Sequence, residues 1–183
     1  MSSKRPLYIL AAVCLAPFIA SFVFYFFWTP SAGQVNYGTL VAPHPLPEVT
    51  LRTLAGESFA FSDLRGKWVL LTVDAVACDQ ACARKLYATR QARTMTGKER
   101  ERLQRLWLVT GDGAPPPELL AAHPDLRIAA ADSVLLAALP AGPEGGIFLI
   151  DPHGLLILRY PADPDIKKLN QDIGRLLYVS RIG

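Results

Sequence analysis

The sequence predicts an α/β domain, built on a mixed central sheet flanked by helices and preceded by one N-terminal transmembrane helix. Three observations predict it. Leu7 to Trp28 is an apolar run of 22 residues without a charge. Beyond it, short apolar runs alternate with charge-rich, helix-like segments, the pattern of strands joined by crossover helices. Near the C-terminus a strong hairpin signal precedes a last amphipathic helix, so antiparallel neighbours join the parallel ones.

The bulk numbers agree with one domain plus an apolar extra. The chain has 183 residues, 51% hydrophobic and 19% charged, with a mean hydropathy of +0.23. Its net charge of +3 is small and scattered, which argues against a nucleic-acid partner. The sequence contains no Gly-rich phosphate loop, zinc-type Cys/His spacing or internal repeat. Neither a Ser/His/Asp set nor a carboxylate pair falls at strand ends, so hydrolase chemistry has no candidate residues.

Residues 1–28 read as a cytoplasmic N-terminus and an anchor. As a helix, the 22-residue run spans about 33 Å, enough for a bilayer core of about 30 Å. Pro17 is tolerated in membrane helices, and Tyr25 and Trp28 suit an interfacial belt. Lys4 and Arg5 favour a cytoplasmic N-terminus, which puts the remainder on the periplasmic side of an inner membrane. The alternative is a cleaved signal peptide. The run is long for such a segment, and Ser31-Ala32-Gly33 is only a weak cleavage patch. Cys14 follows Val13 rather than a small residue, so it reads as packing and not as a lipid attachment site.

Residues 29–46 carry Pro30, Gly33, Gly38, Pro43 and Pro45, and read as a stiff, extended tether in which His44 is solvated. Residues 47–183 then form the domain. Ala55-Gly56-Glu57 joins two short β-like runs within Glu48 to Phe61. Ser62 to Gly66 makes a turn or short helix into a central buried strand, Trp68 to Val73. Arg84 to Arg105 suits a long, basic helix with a break near Thr96-Gly97, read as a solvated face or a docking face for an acidic partner or anionic lipid. Leu106 to Thr110 is a second buried strand. Glu118 to Ala122 is a helix opened by Pro116 or Pro117, with His123 as a surface residue at its end. Leu126 to Ala130 is a strand and Ser133 to Leu139 a helix. Ile147 to Ile150 and Leu155 to Tyr160 flank the turn Asp151-Pro152-His153-Gly154, with His153 exposed. Asp163 or Asp165 caps a last helix reaching Val179.

Chemistry concentrates at Cys78 and Cys82, where the central strand hands over to the first helix of the domain. A helix N-terminus stabilises a thiolate through its N–H groups and dipole. Asp79 between the cysteines opposes that effect, and Arg84 and Lys85 just beyond reinforce it. The pair can cycle between dithiol and disulfide as a thiol-disulfide oxidoreductase. It can hold Cu(I), for which sulfur is a suitable soft donor, or form a permanent disulfide in a degenerate, non-catalytic scaffold.

This order of elements is similar to the thioredoxin fold, and within it the chain resembles the Sco/SenC family of membrane-anchored copper-handling proteins. The resemblance rests on Gly66-Lys67 opening the central strand, on Cys78 twelve residues after that glycine, and on CxxxC spacing in place of CxxC. It rests also on Phe148-Leu149-Ile150-Asp151-Pro152-His153-Gly154, similar to the family's Tyr-Leu-Ile-Asp-Pro-x-Gly. The resemblance implies assistance to cytochrome c oxidase assembly as an assembly factor or metallochaperone. It implies copper as the metal, Cys78 and Cys82 as its ligands, and oxidase subunits or other assembly factors as partners. The chain departs from the family at three residues, and from thioredoxin-type reductases at a fourth. Asp79 and Ala83 stand where prolines follow the family's cysteines. Pro143, beside Glu144, occupies the position of the copper-binding histidine, and Gly145 that of the cis-proline of thioredoxin-type reductases.

Overall fold

The computed structural model describes residues 4–27, 36–140, 146–180 and 182. The expectations placed on Trp28, Ser31-Ala32-Gly33, Pro143, Glu144 and Gly145 lie outside the described residues. Two compact units form, Met1–Val35 and Asn36–Gly183.

In the first unit, α1 (Arg5–Phe27) runs unbroken through Pro17. Large apolar side chains such as Leu7, Ile9, Phe18 and Phe22 are exposed along it. A helix this long and apolar is a candidate membrane span.

The second unit is a mixed sheet flanked by helices. Its strands are β1 (Thr39–Pro45), β2 (Thr50–Arg52), β3 (Ser58–Ala60), β4 (Trp68–Ala75), β5 (Leu103–Thr110), β6 (Leu126–Ala130), β7 (Gly146–Ile150) and β8 (Leu155–Pro161). Its helices are α2 (Gln80–Met95), α3 (Pro117–Ala122), α4 (Ser133–Ala137) and α5 (Ile166–Val179). Six strands pair in the order β1-β8-β7-β4-β5-β6, and β2 and β3 form a separate hairpin. The β4, β5 and β6 strands run parallel, whereas β7, β8 and β1 add on antiparallel.

The central position of β4 explains its composition. Trp68 to Val73 are all buried, because the strand is covered on both faces. Val69, Leu71 and Val73 join Leu106, Leu108, Phe148 and Ile150 on one face, against Leu51, Phe61 and Leu135. Trp68 and Leu70 point the other way, into a core closed by Ala92 of α2 and by Leu169, Ile173 and Leu177 of α5. The period-2 alternation of a strand thus divides one apolar run between two cores. Asp165 caps α5, its side chain accepting the Lys168 N–H at 3.1 Å. In the β7–β8 turn, the Asp151 carboxylate accepts from the N–H groups of His153 and Leu155, and Gly154 adopts φ 87°.

Two expectations are corrected. The stretch read as a tether contributes a strand: β1 pairs with β8, with an irregularity between Leu40 and His44. Pro43 and Pro45 fit because β1 is an edge strand with a partner on one side only. At its entry, the Gly38 N–H donates to buried Asp172 at 2.8 Å, and a Cβ there would lie 2.6 Å from the Tyr160 ring. His44 is accordingly half-buried, its ring nitrogens against the carbonyls of Ala42 and Ala138, which raise its pKa. The long basic helix is also shorter than expected. It starts at Gln80, ends at Met95, continues as 3-10 turns over Gly97–Arg102, and gives way to strand at Leu103. Arg105 therefore lies in a strand rather than on a helix.

Candidate functional site around Cys78 and Cys82

The site is built by the way β4 ends. The Val76 N–H donates to Thr110 O at 2.9 Å, carrying the parallel pairing one residue past the strand. The chain then turns: the Cys78 N–H donates to Ala75 O at 3.0 Å, and Cys78 takes φ 47°, the described non-glycine residue with a positive φ. Such a backbone is uncommon for a side chain with a Cβ. Asp79 is the N-cap of α2, its Oδ1 accepting the Cys82 N–H at 2.9 Å. Expected only as a charge opposing the thiolate, Asp79 is in fact the residue that starts the helix.

Cys78 and Cys82 form a disulfide, with their Cα atoms 5.2 Å apart. Cys82 is buried in a cluster with Val76, Leu86, Trp107 and Val109, and Cys78 is half-buried against the edge of that cluster. Cys78 is therefore the more exposed partner of the disulfide, and Cys82 sits in the core.

Lys85 is one helical turn beyond Cys82. Its side chain is 1% exposed, and its ammonium donates to both carboxylate oxygens of Asp74 in β4, at 2.8 and 3.0 Å. Sequence reasoning assigned Lys85 to a solvated basic face and passed over Asp74. A signal existed, since Cys82, Lys85, Leu86 and Thr89 recur at the spacing of a buried helical face. Arg84 is exposed, as expected.

A second polar cluster lies further along α2. The side chain of Arg105 is fully buried and joins β5 to α2 and to the loop between α3 and β6. It donates to Thr89 Oγ1, to Leu86 O and to Asp125 Oδ1, and meets His123 Nδ1 at 3.3 Å. Arg93 holds the other Asp125 oxygen. Burial pushes the Arg105 pKa down to about 10, against the pull of the Asp125 charge, so the guanidinium stays ionised at neutral pH. His123, expected at the surface, is 6% exposed. It packs under Arg105 because the chain after α3 folds back into β6. Burial, and then the charges of Arg105 and Arg90, lower its pKa to about 4.

That depression has a sign. Between pH 6.5 and about 4 the unfolded chain binds a proton at His123 and the folded chain refuses it. Stability should therefore fall as pH drops through this window, by up to about 3 kcal/mol from this group. Urea unfolding of wild type and His123→Gln at pH 7 and pH 4.5 checks it: the variant should lose clearly less over the interval. Equal losses would remove His123 as the cause.

The donor set does not fit a resident copper centre. The two sulfurs are bonded to each other, both ring nitrogens of His44 face carbonyls, and His123 is packed under an arginine. His153 is the exposed residue of the β7–β8 turn, and no group of three or more His, Cys, Asp or Glu side chains gathers among the described residues. The reduced pair offers two soft sulfurs and so suits Cu(I) as passing cargo.

Comparisons with known proteins meet this description. Residues 68–180 match the family described as transmembrane-like, thioredoxin-like, C-terminal domain. The sheet and its helices are thus a thioredoxin-like fold. No curated protein matches the chain. Among solved structures, yeast Sco1 with copper bound is similar at a TM-score of 0.60 and 17% identity, covering 75% of this chain and 91% of its own. The thioredoxin domain of a thiol-disulfide oxidoreductase from Bacteroides vulgatus gives 0.56 and 16%, covering 76% and 99%. BsSco, a member of the Sco family of cytochrome c oxidase assembly proteins in which a disulfide switch was identified, gives 0.56 and 12%, covering 80% and 99%. The resemblance to Sco/SenC proteins read from the residues is met by these structures at the level of fold.

Proposed function

The chain belongs to the family of transmembrane-like, thioredoxin-like C-terminal domains, and from that premise we propose that its Cys78–Cys82 pair exchanges disulfides with cysteine-bearing partners during respiratory oxidase assembly. The observation that carries this reading is the asymmetry of the disulfide. Cys78 is half-buried at the start of a helix, and Cys82 is buried behind it. A partner thiolate approaches the first sulfur and the second leaves. The N–H groups at the start of α2 favour the negative charge that exchange creates. The similar Bacteroides protein is a thiol-disulfide oxidoreductase, and BsSco is a Sco protein with a disulfide switch. Oxidase subunits or other assembly factors are the partners this reading implies, with Cu(I) as a cargo of the reduced pair.

In the same reading, residues 1–28 are the anchor in an inner membrane, the N-terminus is cytoplasmic through Lys4 and Arg5, and the domain is periplasmic. One experiment tests site and side together. Spheroplasts are poised in redox buffers of graded potential and labelled with a membrane-impermeant maleimide. Labelling of Cys78, the more exposed of the pair, should appear at potentials above about −300 mV, below which structural disulfides lie. Labelling only at more reducing potentials favours a non-catalytic scaffold with a structural disulfide. Labelling only after lysis overturns the orientation.

A further inference from the structure

We propose that Lys85, held by Asp74, is a positioning residue that stabilises the sulfur of Cys82 as the leaving thiolate when a partner attacks Cys78. The inference rests on the exchange reading above and deepens it.

The geometry begins with the helix. Residues three apart on an α-helix are neighbours on one face, with Cβ atoms about 5 to 6 Å apart. Side chains on a helix lean back toward its N-terminus, so a long side chain at position 85 lies over the turn that carries Cys82. Both residues are 1% exposed, so little water intervenes to screen one from the other. The ammonium is fixed rather than mobile, since Asp74 at the end of β4 accepts from it with both oxygens. A buried lysine is costly unless paired. The pairing with Asp74 is what allows a positive charge to reside here at all.

The step balances. A thiolate of a partner dithiol attacks Cys78 Sγ, a partner–Cys78 disulfide forms, and the Cys78–Cys82 bond breaks with its electron pair on Cys82 Sγ. The partner's second thiolate then attacks its own sulfur in the mixed disulfide and releases Cys78 as a thiolate. The partner is oxidised to a disulfide, the pair is reduced to two thiols, and the protons come from solvent. Charge develops on Cys82 in the first step, in the least solvated part of the site, where a fixed ammonium has its largest effect.

The test is the rate at which dithiothreitol reduces the disulfide in the full-length protein in detergent, at one pH and ionic strength. Lys85→Met should slow reduction tenfold or more, and Lys85→Arg, which keeps the charge, should stay within about threefold of wild type. A purely structural lysine predicts the opposite sign, because loosened packing around Cys82 exposes the disulfide and speeds its reduction. The double variant Lys85→Met/Asp74→Asn removes both charges together, and covers the case in which Lys85→Met alone fails to fold. It too should be slow. Reduction of folded Lys85→Met or the double variant at or above the wild-type rate overturns the proposal. A wild-type disulfide that resists dithiothreitol until denatured would instead overturn the exchange reading, and the two failures are separate.

Discussion

Replacing Arg105 with methionine should lower the stability of the domain by about 3 kcal/mol, the low end of the range of about 3 to 5 kcal/mol for breaking a buried ion pair, because Asp125 is 27% exposed. The guanidinium is fully buried, and its loss strands several groups at once. Thr89 Oγ1, the carbonyl of Leu86 and one oxygen of Asp125 each lose a donor. Denaturant unfolding should show a lower midpoint with an unchanged slope, because the same surface is exposed on unfolding. Arg100→Met serves as the contrast. Its partner Glu101 is 73% exposed, and such surface pairs contribute less than about 1 kcal/mol. In Arg105→Met the acid sensitivity assigned to His123 should also weaken, since the second cause of its low pKa is gone. A loss below about 1 kcal/mol would show that the buried network contributes little.

The largest functional effect is expected at the cysteines, and it should be unequal. With Cys82→Ser, the Cys78 thiolate can still attack the disulfide of an oxidised partner, but no neighbour resolves the product. Partners should accumulate as mixed disulfides, visible as shifted bands on non-reducing gels. Cys78→Ser leaves a thiol that is 1% exposed, and should trap none. Turnover of a model dithiol should be lost in both, since a complete exchange cycle needs both sulfurs. Stability should fall by only about 2 kcal/mol, the chain-entropy value for so short a loop. Equal trapping by the two variants would mean that the structural asymmetry does not govern the chemistry.

The legible parts of this fold were those with a local cause. The central strand, the hairpin Ala55-Gly56-Glu57, the turn at Asp151 to Gly154 and the capped last helix each follow from periodicity or turn chemistry within a short window. The pairing of two sulfurs at a strand-to-helix junction was legible for the same reason. The parts that were missed depend on distant partners. Lys85 and Arg105 belong to a charge-rich stretch that looks uniformly solvated, and only Asp74 and Asp125 in other elements let them be buried. His123 looked like an exposed residue ahead of Pro124, and only the return of the chain into β6 covers it. The strand β1 was hidden by its prolines, which argue against a central strand but not against an outer one.

The two margins of the sheet have a consequence for company. An open strand edge is a template on which another chain can pair, and proteins at high local density aggregate through such edges. Here one margin carries Pro43 and Pro45, which lack the amide hydrogen that pairing needs, and the other is met by a bridge from Thr53 to Ala129. Neighbouring copies crowded along a membrane therefore find few rungs on which to extend the ladder. Strand addition is disfavoured at both margins.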